Sequence, residues 1–461
     1  MYDLVLRGAT VVSESTQGAC DLAVTDGVVA AVLPAGSAAV ARSYADLDGL
    51  TLLPGLVDAH VHFRGSPRDA GESFAIGSAA AAAGGVTTVL EMPVTDPMVL
   101  TGRLLRERGN SLSTQSIGDF ALYGGLGVGN LHEAAGLRAA GAVGVKTFLH
   151  RAGPGREGTL GAITAVTTDE MLRVLEAGAS AGLVHAIHAE DDGLIGFLQA
   201  QHRESDPATF HLSSRPTLAE DVSAVRAAII GMAVGASMHF VHVSSALTVD
   251  LLGFLVSRGA DLSIETAPHY VRFTSAQVSD FGMRARCNPP LRSPQAQADL
   301  IRRLDSGAID VVASDHCSYP IDDVRRLADD PVRAPAGFPG IQYMLPSLLN
   351  LVSEGRLSLS QVVRATSLAP ARRFSLARKG DVAVGMDADF VVVDLDAPTP
   401  FADLPHQSAA VENVPFFGTE VYSSRVAQTW VRGTCVFDGS SIRVGPGHGR
   451  WLKPAPRQGG A

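Results

Sequence analysis

Two histidines separated by one residue, His60 and His62 in DAHVHFRG, are the first histidines of the chain and could bind a metal ion. In a β-strand, residues i, i+2 and i+4 face the same side, so both imidazoles and the Arg64 guanidinium would share one face. Two imidazoles on one face can chelate a divalent ion. A histidine in a half-buried strand is also a common hydrogen-bonded core residue, so the pair needs further ligands.

Three more residues of metal-ligand type follow apolar stretches later in the chain. They are His188 in VHAIHAED, His242 in FVHVSS and Asp315 in VVASDH. Taken singly, His188 could be a core histidine and Asp315 a helix cap. Taken together with the pair, they are five candidates at matching strand ends, and such ends meet at one face of a β/α barrel.

Lys146 is embedded in an apolar strand, GVKTFL. Burying an ammonium group is costly, so this lysine is expected to be ion-paired, neutral or chemically modified. One interpretation is a salt bridge to a neighbouring carboxylate. The other is a neutral amine that has captured carbon dioxide as a carbamate, whose two oxygens can bridge two metal ions.

The elements that must position these residues begin at Pro54, where strand-like runs start to alternate with alanine-rich helical stretches. This pattern predicts βα units around a parallel sheet, and eight strands would close a barrel. The predicted strands are GLVDAHVHF, GVTTVLEM, DFALYGGL, GVKTFL, LVHAIHAE, MHFVHVS, LSIETAPHY and DVVASDH. The clearest predicted helices are ESFAIGSAAAAAG, TTDEMLRVLEAGASAG, TLAEDVSAVRAAIIGMAVG and LTVDLLGFLVSRG.

Both ends of the chain read as short strands with Asp-Gly turns, so they are expected to meet in one small β domain. The predicted division is 1–53 for the first part of that domain, 54–378 for the barrel and 379–461 for the remainder. The tail GHGRWLKPAPRQGGA is rich in glycine and proline and is expected to be poorly ordered.

Composition narrows the class of protein. Of the 461 residues, 46% are apolar and 18% are charged, as in a folded enzyme. The net charge of -10 does not favour binding to nucleic acid or to an anionic membrane. The four cysteines form no CxxC pair, so a reduced cytoplasm is expected rather than a disulfide framework. No apolar run reaches the roughly 18 residues that a membrane helix needs.

In order along the chain, DAHVHFR, GVKTFL, HAED, VHVSS, ETAPHY, CNPPLR and ASDH resemble the cyclic amidohydrolase group of the amidohydrolase superfamily. That group includes allantoinases, dihydroorotases, and hydantoinases with dihydropyrimidinases. The resemblance extends through KGDVAVGMDADFVVVD and so covers nearly the whole chain. It implies an α/β fold, a (β/α)8 TIM barrel with a small β-sandwich built from both termini, and hydrolysis of a ring amide C–N bond.

The resemblance also implies two divalent metal ions, usually zinc with manganese or cobalt as alternatives, bridged by N6-carboxylated Lys146. Asp315 would carry the proton during catalysis, and the chain would form a dimer or tetramer. Presence of the whole ligand set counts against a non-catalytic scaffold on the same fold. The implied ligands are His60, His62, Lys146 and Asp315 for the more buried ion, and Lys146, His188 and His242 for the more exposed one.

Two positions favour a dihydroorotase and two oppose it. Arg64 resembles the arginine that grips a substrate carboxylate in HxHxR, although a structural ion pair is the alternative, and Asn288 in CNPPLR matches the amide that contacts the ring. Val94 in EMPVTDP stands where dihydroorotases usually have asparagine. The run DHCSYP lacks the second histidine of their DHAPH, so that substrate contact is expected to be lost or moved.

Hydantoinases usually carry a tyrosine five residues after the bridging lysine, where this chain has Arg151. Allantoinases lack that tyrosine, and the phrases GVKTFL, VHAIHAED and GFPGIQYMLPSLLNLVSEGRLSL are most similar to theirs. Ring opening of allantoin to allantoate is therefore the leading prediction, even though Arg64 is unusual for that enzyme. The alternatives, in order, are a dihydroorotase-like enzyme and a hydantoinase or cyclic-imide hydrolase.

Overall fold

The computed structural model of the chain describes residues 1–64, 72–153, 160–414 and 417–455. Strands from both ends of the chain precede and follow a central series of alternating strands and helices. Within the described ranges, no helix is long and apolar enough to cross a membrane. The strands before the central series are β1 (Tyr2–Val12), β2 (Gln17–Thr25), β3 (Val28–Pro34), β4 (Ala41–Asp46) and β5 (Thr51–Pro54).

The central strands are β6 (Leu56–His62), β7 (Val86–Glu91), β8 (Asp119–Gly125), β9 (Gly144–Phe148), β10 (Val184–His188), β11 (Ser237–Phe240), β12 (Leu262–Thr266), β13 (Val311–Val312) and β14 (His316–Cys317). They lie side by side in chain order, and every neighbouring pair is parallel. The segments β13 and β14 act as one interrupted eighth strand, because β13 pairs with β12 and β14 pairs with β6. This pairing closes the predicted barrel.

Helices cover the outside of the barrel, and the four clearest predicted ones are confirmed as α1, α4, α7 and α8. The N-cap Thr167 and Glu170 form a reciprocal capping box that starts one of them, α4. The helices are α1 (Phe74–Ala83), α2 (Gly102–Leu112), α3 (Ala134–Ala140), α4 (Thr168–Ser180), α5 (Asp192–Gln201), α6 (Pro207–Ser214), α7 (Thr217–Ala233), α8 (Ala246–Ser257), α9 (Pro268–Arg272), α10 (Ala276–Phe281), α11 (Pro294–Asp305), α12 (Ile321–Arg326), α13 (Met344–Ser353), α14 (Leu359–Val363) and α15 (Ala369–Arg373).

Three residues with unusual backbone lie at the carboxyl ends of the barrel strands. Arg64, His242 and Asp315 have φ values of 59°, 41° and 48°, in the left-handed region that non-glycine residues rarely adopt. Arg64 and His242 each lie two residues beyond a strand, and Asp315 sits in the gap between β13 and β14. Strain of this kind persists where surrounding structure enforces it, which is typical of functional sites.

The strands that follow the barrel are β15 (Phe390–Asp394), β16 (Thr399–Pro400), β17 (Val421–Tyr422), β18 (Arg425–Val431) and β19 (Thr434–Phe437). Three of them join the amino-terminal strands in one sheet of order β19-β18-β15-β5-β1-β2-β3, with β4 paired to β1. This sheet has its own apolar core, which includes Leu22, Leu52 and Phe390. The predicted small β domain from both termini is confirmed, while its exact residue limits stay a prediction.

The tail is better ordered than its glycine and proline content predicted, so that expectation is wrong for the part described, which ends at residue 455. Trp451 forms a bridge with Phe120 of β8, and the Leu452 N–H donates to the Phe120 carbonyl oxygen. Gly109 of α2 leaves room for the indole, since a Cβ there would lie 2.5 Å from Trp451. The packing of Trp451 thus orders this part of the tail, despite the glycine and proline residues around it.

A buried ionic cluster joins the small β domain to the barrel. The Lys379 Nζ lies 2.6 Å from Asp119 Oδ2 at the start of β8 and 2.5 Å from Asp389 Oδ2 just before β15. Burial alone would lower the pKa of Lys379, but the Asp389 and Asp119 carboxylates raise it above its usual value. Its contribution to stability is therefore complete below the pKa of an unfolded lysine, about 10.4, and is lost as the pH rises above it.

Replacing Lys379 with methionine is expected to lower the free energy of unfolding by about 3 to 5 kcal/mol, because carboxylates would stay buried without their cation. Urea unfolding measures the loss. Arg326 is the control, since it is exposed on α12 and pairs with Asp323 at 2.9 Å, away from the cluster. Arg326→Met is expected to cost less than about 1 kcal/mol. Equal costs for the two variants would contradict the role of the cluster.

Candidate metal centre

One cavity lies at the carboxyl ends of the barrel strands, and every site residue predicted from the sequence lines it. The predicted strands that carry these residues thus deliver them to the same end of the barrel, where the active sites of this fold lie. The predicted residues on its surface are His60, His62, Arg64, Lys146, His188, His242, Asn288 and Asp315.

Three of these side chains point their potential ligand atoms at one another. The His60 Nε2 lies 3.3 Å from His62 Nε2 and 3.3 Å from Asp315 Oδ1. The His62 Nε2 is 3.5 Å from the same Asp315 oxygen. Two nitrogens and one oxygen therefore surround a point in the way that ligands of a divalent cation do.

Glu265 at the end of β12 determines how His60 is oriented. The Nδ1 of His60 lies 2.9 Å from Glu265 Oε1, so Nδ1 carries the proton and Nε2 keeps its lone pair for the cluster. The same carboxylate lies 2.9 Å from His239 Nε2 and accepts the backbone N–H of His242 at 3.1 Å. A carboxylate behind a ligand histidine is the arrangement that fixes tautomer and ring orientation in metal sites.

His188 and His242 form a second converging pair beside the first cluster. The His188 Nδ1 lies 2.9 Å from His242 Nε2, and the ring centroids of His242 and His60 are 5.4 Å apart. The other nitrogen of His188, Nε2, is 2.8 Å from Glu190 Oε2. Glu190 therefore holds the proton on Nε2, which leaves Nδ1 with a lone pair directed at His242.

Lys146 stands on β9 between neighbouring strands β8 and β10, with only 1% of its surface exposed. Its Nζ has no hydrogen-bond partner among the described residues, so the salt bridge that was one interpretation of this lysine is absent there. Burial lowers the pKa of Lys146 to about 8, against the attraction of Asp315 and Glu265. A neutral amine is therefore accessible near neutral pH.

The donor set fits divalent cations. The directed lone pair of His60 faces His62 Nε2 and Asp315 Oδ1, and that of His188 faces His242 Nε2. Neutral imidazoles and a carboxylate gathered in this way can each give a lone pair to a divalent cation. Burial raises the pKa of Asp315 to about 8, with Lys146 opposing the rise, and a bound cation would favour the ionised form of this carboxylate.

Asp58 fastens the first and last barrel strands to each other. Its Oδ1 accepts the backbone N–H of His60 and the backbone N–H of Ser314, each at 3.1 Å. The ligand pair on β6 and the aspartate after β13 are thus positioned by one buried carboxylate. The sequence DAHVHF does not reveal this role of Asp58, because any polar residue of a strand would give the same local pattern.

The residues expected to select the ring lie at the cavity with one exception. Arg64, Asn288 and Val94 all line it, so the valine presents an apolar surface where an amide would otherwise stand. Arg151 instead turns outward, with 73% of its side chain exposed and its Nη1 2.5 Å from Asp192 Oδ2. The tyrosine position of hydantoinases therefore contributes no side chain to the cavity lining described here.

Sequence reasoning missed several cavity residues, among them the hydrogen-bonding side chains of His150 and Tyr319. His150 follows Lys146 by four residues, in the same strand phase, so the alternation that located the lysine could have located it. Its Nε2 lies 3.1 Å from His188 Nε2. These two histidines and Glu190 also form a possible ligand group, but Glu190 is already paired with the Arg215 guanidinium.

Comparison with known proteins identifies the family of the chain. A model of the amidohydrolase family matches residues 51–436. The allantoinase of Bacillus velezensis is 32% identical over 98% of this chain and 98% of its own, and the dihydroorotase of Halobacterium salinarum is 36% identical over 85% and 87%.

Among solved structures, the L-hydantoinase (dihydropyrimidinase) from Arthrobacter aurescens superposes with a TM-score of 0.92 at 32% identity. That match covers 98% of this chain and 100% of the hydantoinase chain. Because the family model and these relatives span most of its length, the chain belongs to the amidohydrolase family.

Proposed function

We propose that the protein is a metal-dependent hydrolase that opens the ring of a small cyclic amide by cleaving a C–N bond, with allantoin as the first candidate substrate. The observation that carries the proposal is the convergence of the His60, His62 and Asp315 ligand atoms beside the His188 and His242 pair. Relatives named allantoinase, dihydroorotase and L-hydantoinase support the same reaction class.

Two divalent ions would occupy this centre, with zinc first and manganese or cobalt as alternatives, because imidazole and carboxylate ligands suit all three. N6-carboxylated Lys146 would contribute to both ions, and its buried amine on β9, which has no hydrogen-bond partner among the described residues, supports that modification. When bound, the ions would supply an activated water molecule at neutral pH and polarise the ring carbonyl.

The side chains of the chain itself then have distinct tasks. Asp315 Oδ1 would take the proton from the attacking water and return it to the ring nitrogen as the C–N bond breaks. Glu265 and Glu190 would keep the ligand imidazoles in one tautomer throughout. Arg64 and Asn288 would orient the ring from the side of the cavity, through donors suited to substrate oxygens.

Two features favour allantoin over the other rings. Val94 offers no amide where a dihydroorotase has one, and Arg151 lies outside the cavity where a hydantoinase has a tyrosine. Arg64 favours the second candidate, a dihydroorotase-like enzyme, since a guanidinium is the natural partner of a ring carboxylate. A hydantoinase or cyclic-imide hydrolase is third.

The deciding experiment is to incubate the metal-loaded protein with allantoin, dihydroorotate, hydantoin, dihydrouracil and a cyclic imide and to follow ring loss. We expect one ring to be opened with a kcat/KM well above that of the others. Metal analysis should give close to two ions per chain. A protein that binds no divalent ion and opens none of the rings would refute the proposal.

We also propose that the chain assembles as a homo-oligomer through α7 and α8. Leu218, Val222 and Ile229 lie on one face of α7 and are about half exposed. Leu247 and Phe254 form a second exposed apolar row on the adjacent helix α8. A patch of this kind on a folded protein usually marks a protein–protein interface.

Phe254→Asp is expected to dissociate the oligomer, because it places a charge in the apolar patch where Phe254 is 60% exposed in the single chain. Sedimentation velocity would show the change from dimer or tetramer to monomer. Val384→Asp is the matched control, since Val384 is 65% exposed and lies on neither α7 nor α8. A wild-type protein that sediments as a monomer would contradict the proposal.

A further inference from the structure

Tyr319 places a phenolic hydroxyl on the surface of the cavity. It lies two residues after β14, is almost fully buried, and lines the cavity together with Arg64 and Cys317. It is also the fifth residue of the run that begins at Asp315, the place where DHAPH carries its second histidine. The histidine is absent from this run, and a tyrosine with a hydrogen-bonding hydroxyl stands at its sequence position.

Arg64 holds this hydroxyl in one orientation. Its Nη2 donates to the Tyr319 Oη at 2.6 Å and approaches the Cys317 Sγ at 2.9 Å, and its guanidinium carbon lies 4.4 Å from the centre of the tyrosine ring. A guanidinium can only donate, so the tyrosine oxygen accepts and its own proton must be directed elsewhere. Accepting a hydrogen bond from a cation also makes the O–H a stronger donor.

The backbone beneath Arg64 is fixed before any substrate arrives. Its carbonyl oxygen accepts a hydrogen bond from the Arg108 guanidinium, and Arg108 is paired with the buried Glu91 at 2.6 Å. These contacts hold the left-handed conformation of Arg64, with φ of 59°. Because these contacts already hold Arg64 in place, it would lose less side-chain entropy on binding substrate than an arginine on an open surface.

Packing around Cys317 and Tyr319 also holds the tyrosine in place. Gly337 has a φ of 117°, and a Cβ at that position would lie 2.7 Å from the Cβ of Cys317. The closeness of this glycine leaves Cys317 little room to move. Cys317 and Tyr319 pack with Val324 and Ile321 of α12 in a small apolar cluster. Both partners of the pair are therefore preorganised.

We infer that Tyr319 is a substrate-contacting residue whose hydroxyl, held by Arg64, donates a hydrogen bond to an oxygen atom of the ring substrate. The inference rests on the proposed ring-opening function and adds a specificity residue to it. The acceptor is a carboxylate oxygen on a carboxylated ring, or a carbonyl oxygen on a neutral ring or its substituent. A carboxylate oxygen and a carbonyl oxygen would both accept this hydrogen bond, and comparison of the five rings distinguishes them.

The test compares Tyr319→Phe with wild type on the same five rings. We expect kcat/KM for the preferred ring to fall about 10-fold, as the loss of one hydrogen bond to a charged or strongly polarised group would produce. A loss confined to dihydroorotate identifies the acceptor as a carboxylate, and a loss on allantoin or hydantoin identifies a carbonyl oxygen. Tyr44→Phe is the control, because Tyr44 is exposed on β4.

Two further variants test the pairing itself. Tyr319→His keeps a donor at this place and is expected to recover part of the activity that phenylalanine loses. Arg64→Met combined with Tyr319→Phe is expected to be little worse than Arg64→Met alone, because members of one hydrogen-bonded unit are not additive. Full additivity, or phenylalanine and histidine variants of equal activity, would overturn the inference.

Calorimetric binding of each ring separates this inference from the proposed function. If wild type opens a ring and Tyr319→Phe binds and opens the same ring equally well, Tyr319 makes no substrate contact and the ring-opening function stands. If wild type neither opens nor binds any of the rings, both proposals fail. Should Tyr319→Phe not fold, the Tyr319→His variant carries the same comparison.

Discussion

Lys146→Ala is expected to lower the rate of ring opening by at least about 10³-fold, equivalent to about 4 kcal/mol of transition-state stabilisation. The physical reason is that one buried amine, 1% exposed on β9, would supply the group shared by both proposed ions. Alanine removes that group and leaves the His188 and His242 pair with too few ligands. The rate and the metal content of the variant, prepared with excess metal, are the two measurements.

The control for this variant is Lys453→Ala, which removes an exposed lysine that stacks 4.7 Å over the Trp451 ring. Its activity and metal content should equal those of wild type. A Lys146→Ala protein that still held two ions and turned over at the wild-type rate would eliminate the carbamate from the proposal. Mass spectrometry of the intact native protein offers an independent check, since the carbamate adds the mass of carbon dioxide.

Asp315→Asn is expected to reduce turnover by about 10²- to 10⁴-fold, the range typical of a lost general acid or base. Asparagine keeps the size of the side chain but cannot accept and release a proton. It would also weaken the cluster in which Asp315 Oδ1 lies 3.3 Å from His60 Nε2. Single-turnover rates at saturating metal separate the loss of proton transfer from the loss of metal.

Asp322→Asn is the matched control, because this aspartate is 93% exposed on α12 and close to Asp315 in the chain. It should leave turnover unchanged. An Asp315→Asn protein with bound metal and more than one tenth of wild-type activity would exclude Asp315 as the proton carrier. Another acceptor on the cavity surface would then have to be found.

Much of the fold follows from patterns in the sequence. Periodic apolar runs predicted the barrel strands and the α1, α4, α7 and α8 helices, because burial on one or both faces leaves a clear repeat. The interruption of the eighth strand at Asp315 was not predicted, since a left-handed aspartate has no pattern of its own. The ordered tail was missed because Trp451 packs against residues more than 300 positions away.

Some residues of the candidate site were also predictable from the sequence, and others were not. His60 was found because it shares one strand face with His62. Lys146 was found because a lysine is rare within an apolar strand. Glu265 was not found as a histidine partner, because a carboxylate in LSIETAPHY has no distinguishing local feature until the closed barrel brings His60 of β6 and the residues after β11 to it. Tyr319 lies outside any regular element, and its contact with Arg64 spans 255 positions.

The split eighth strand has a consequence for how the barrel unfolds. The His60 and His62 side chains belong to the first barrel strand, and Asp315 sits in the break of the last one. A cation held by all three would link the two edges of the sheet across the seam where the cylinder closes. Its binding free energy would then oppose opening of that seam, so metal supply would set the heat tolerance of the whole fold as well as its activity.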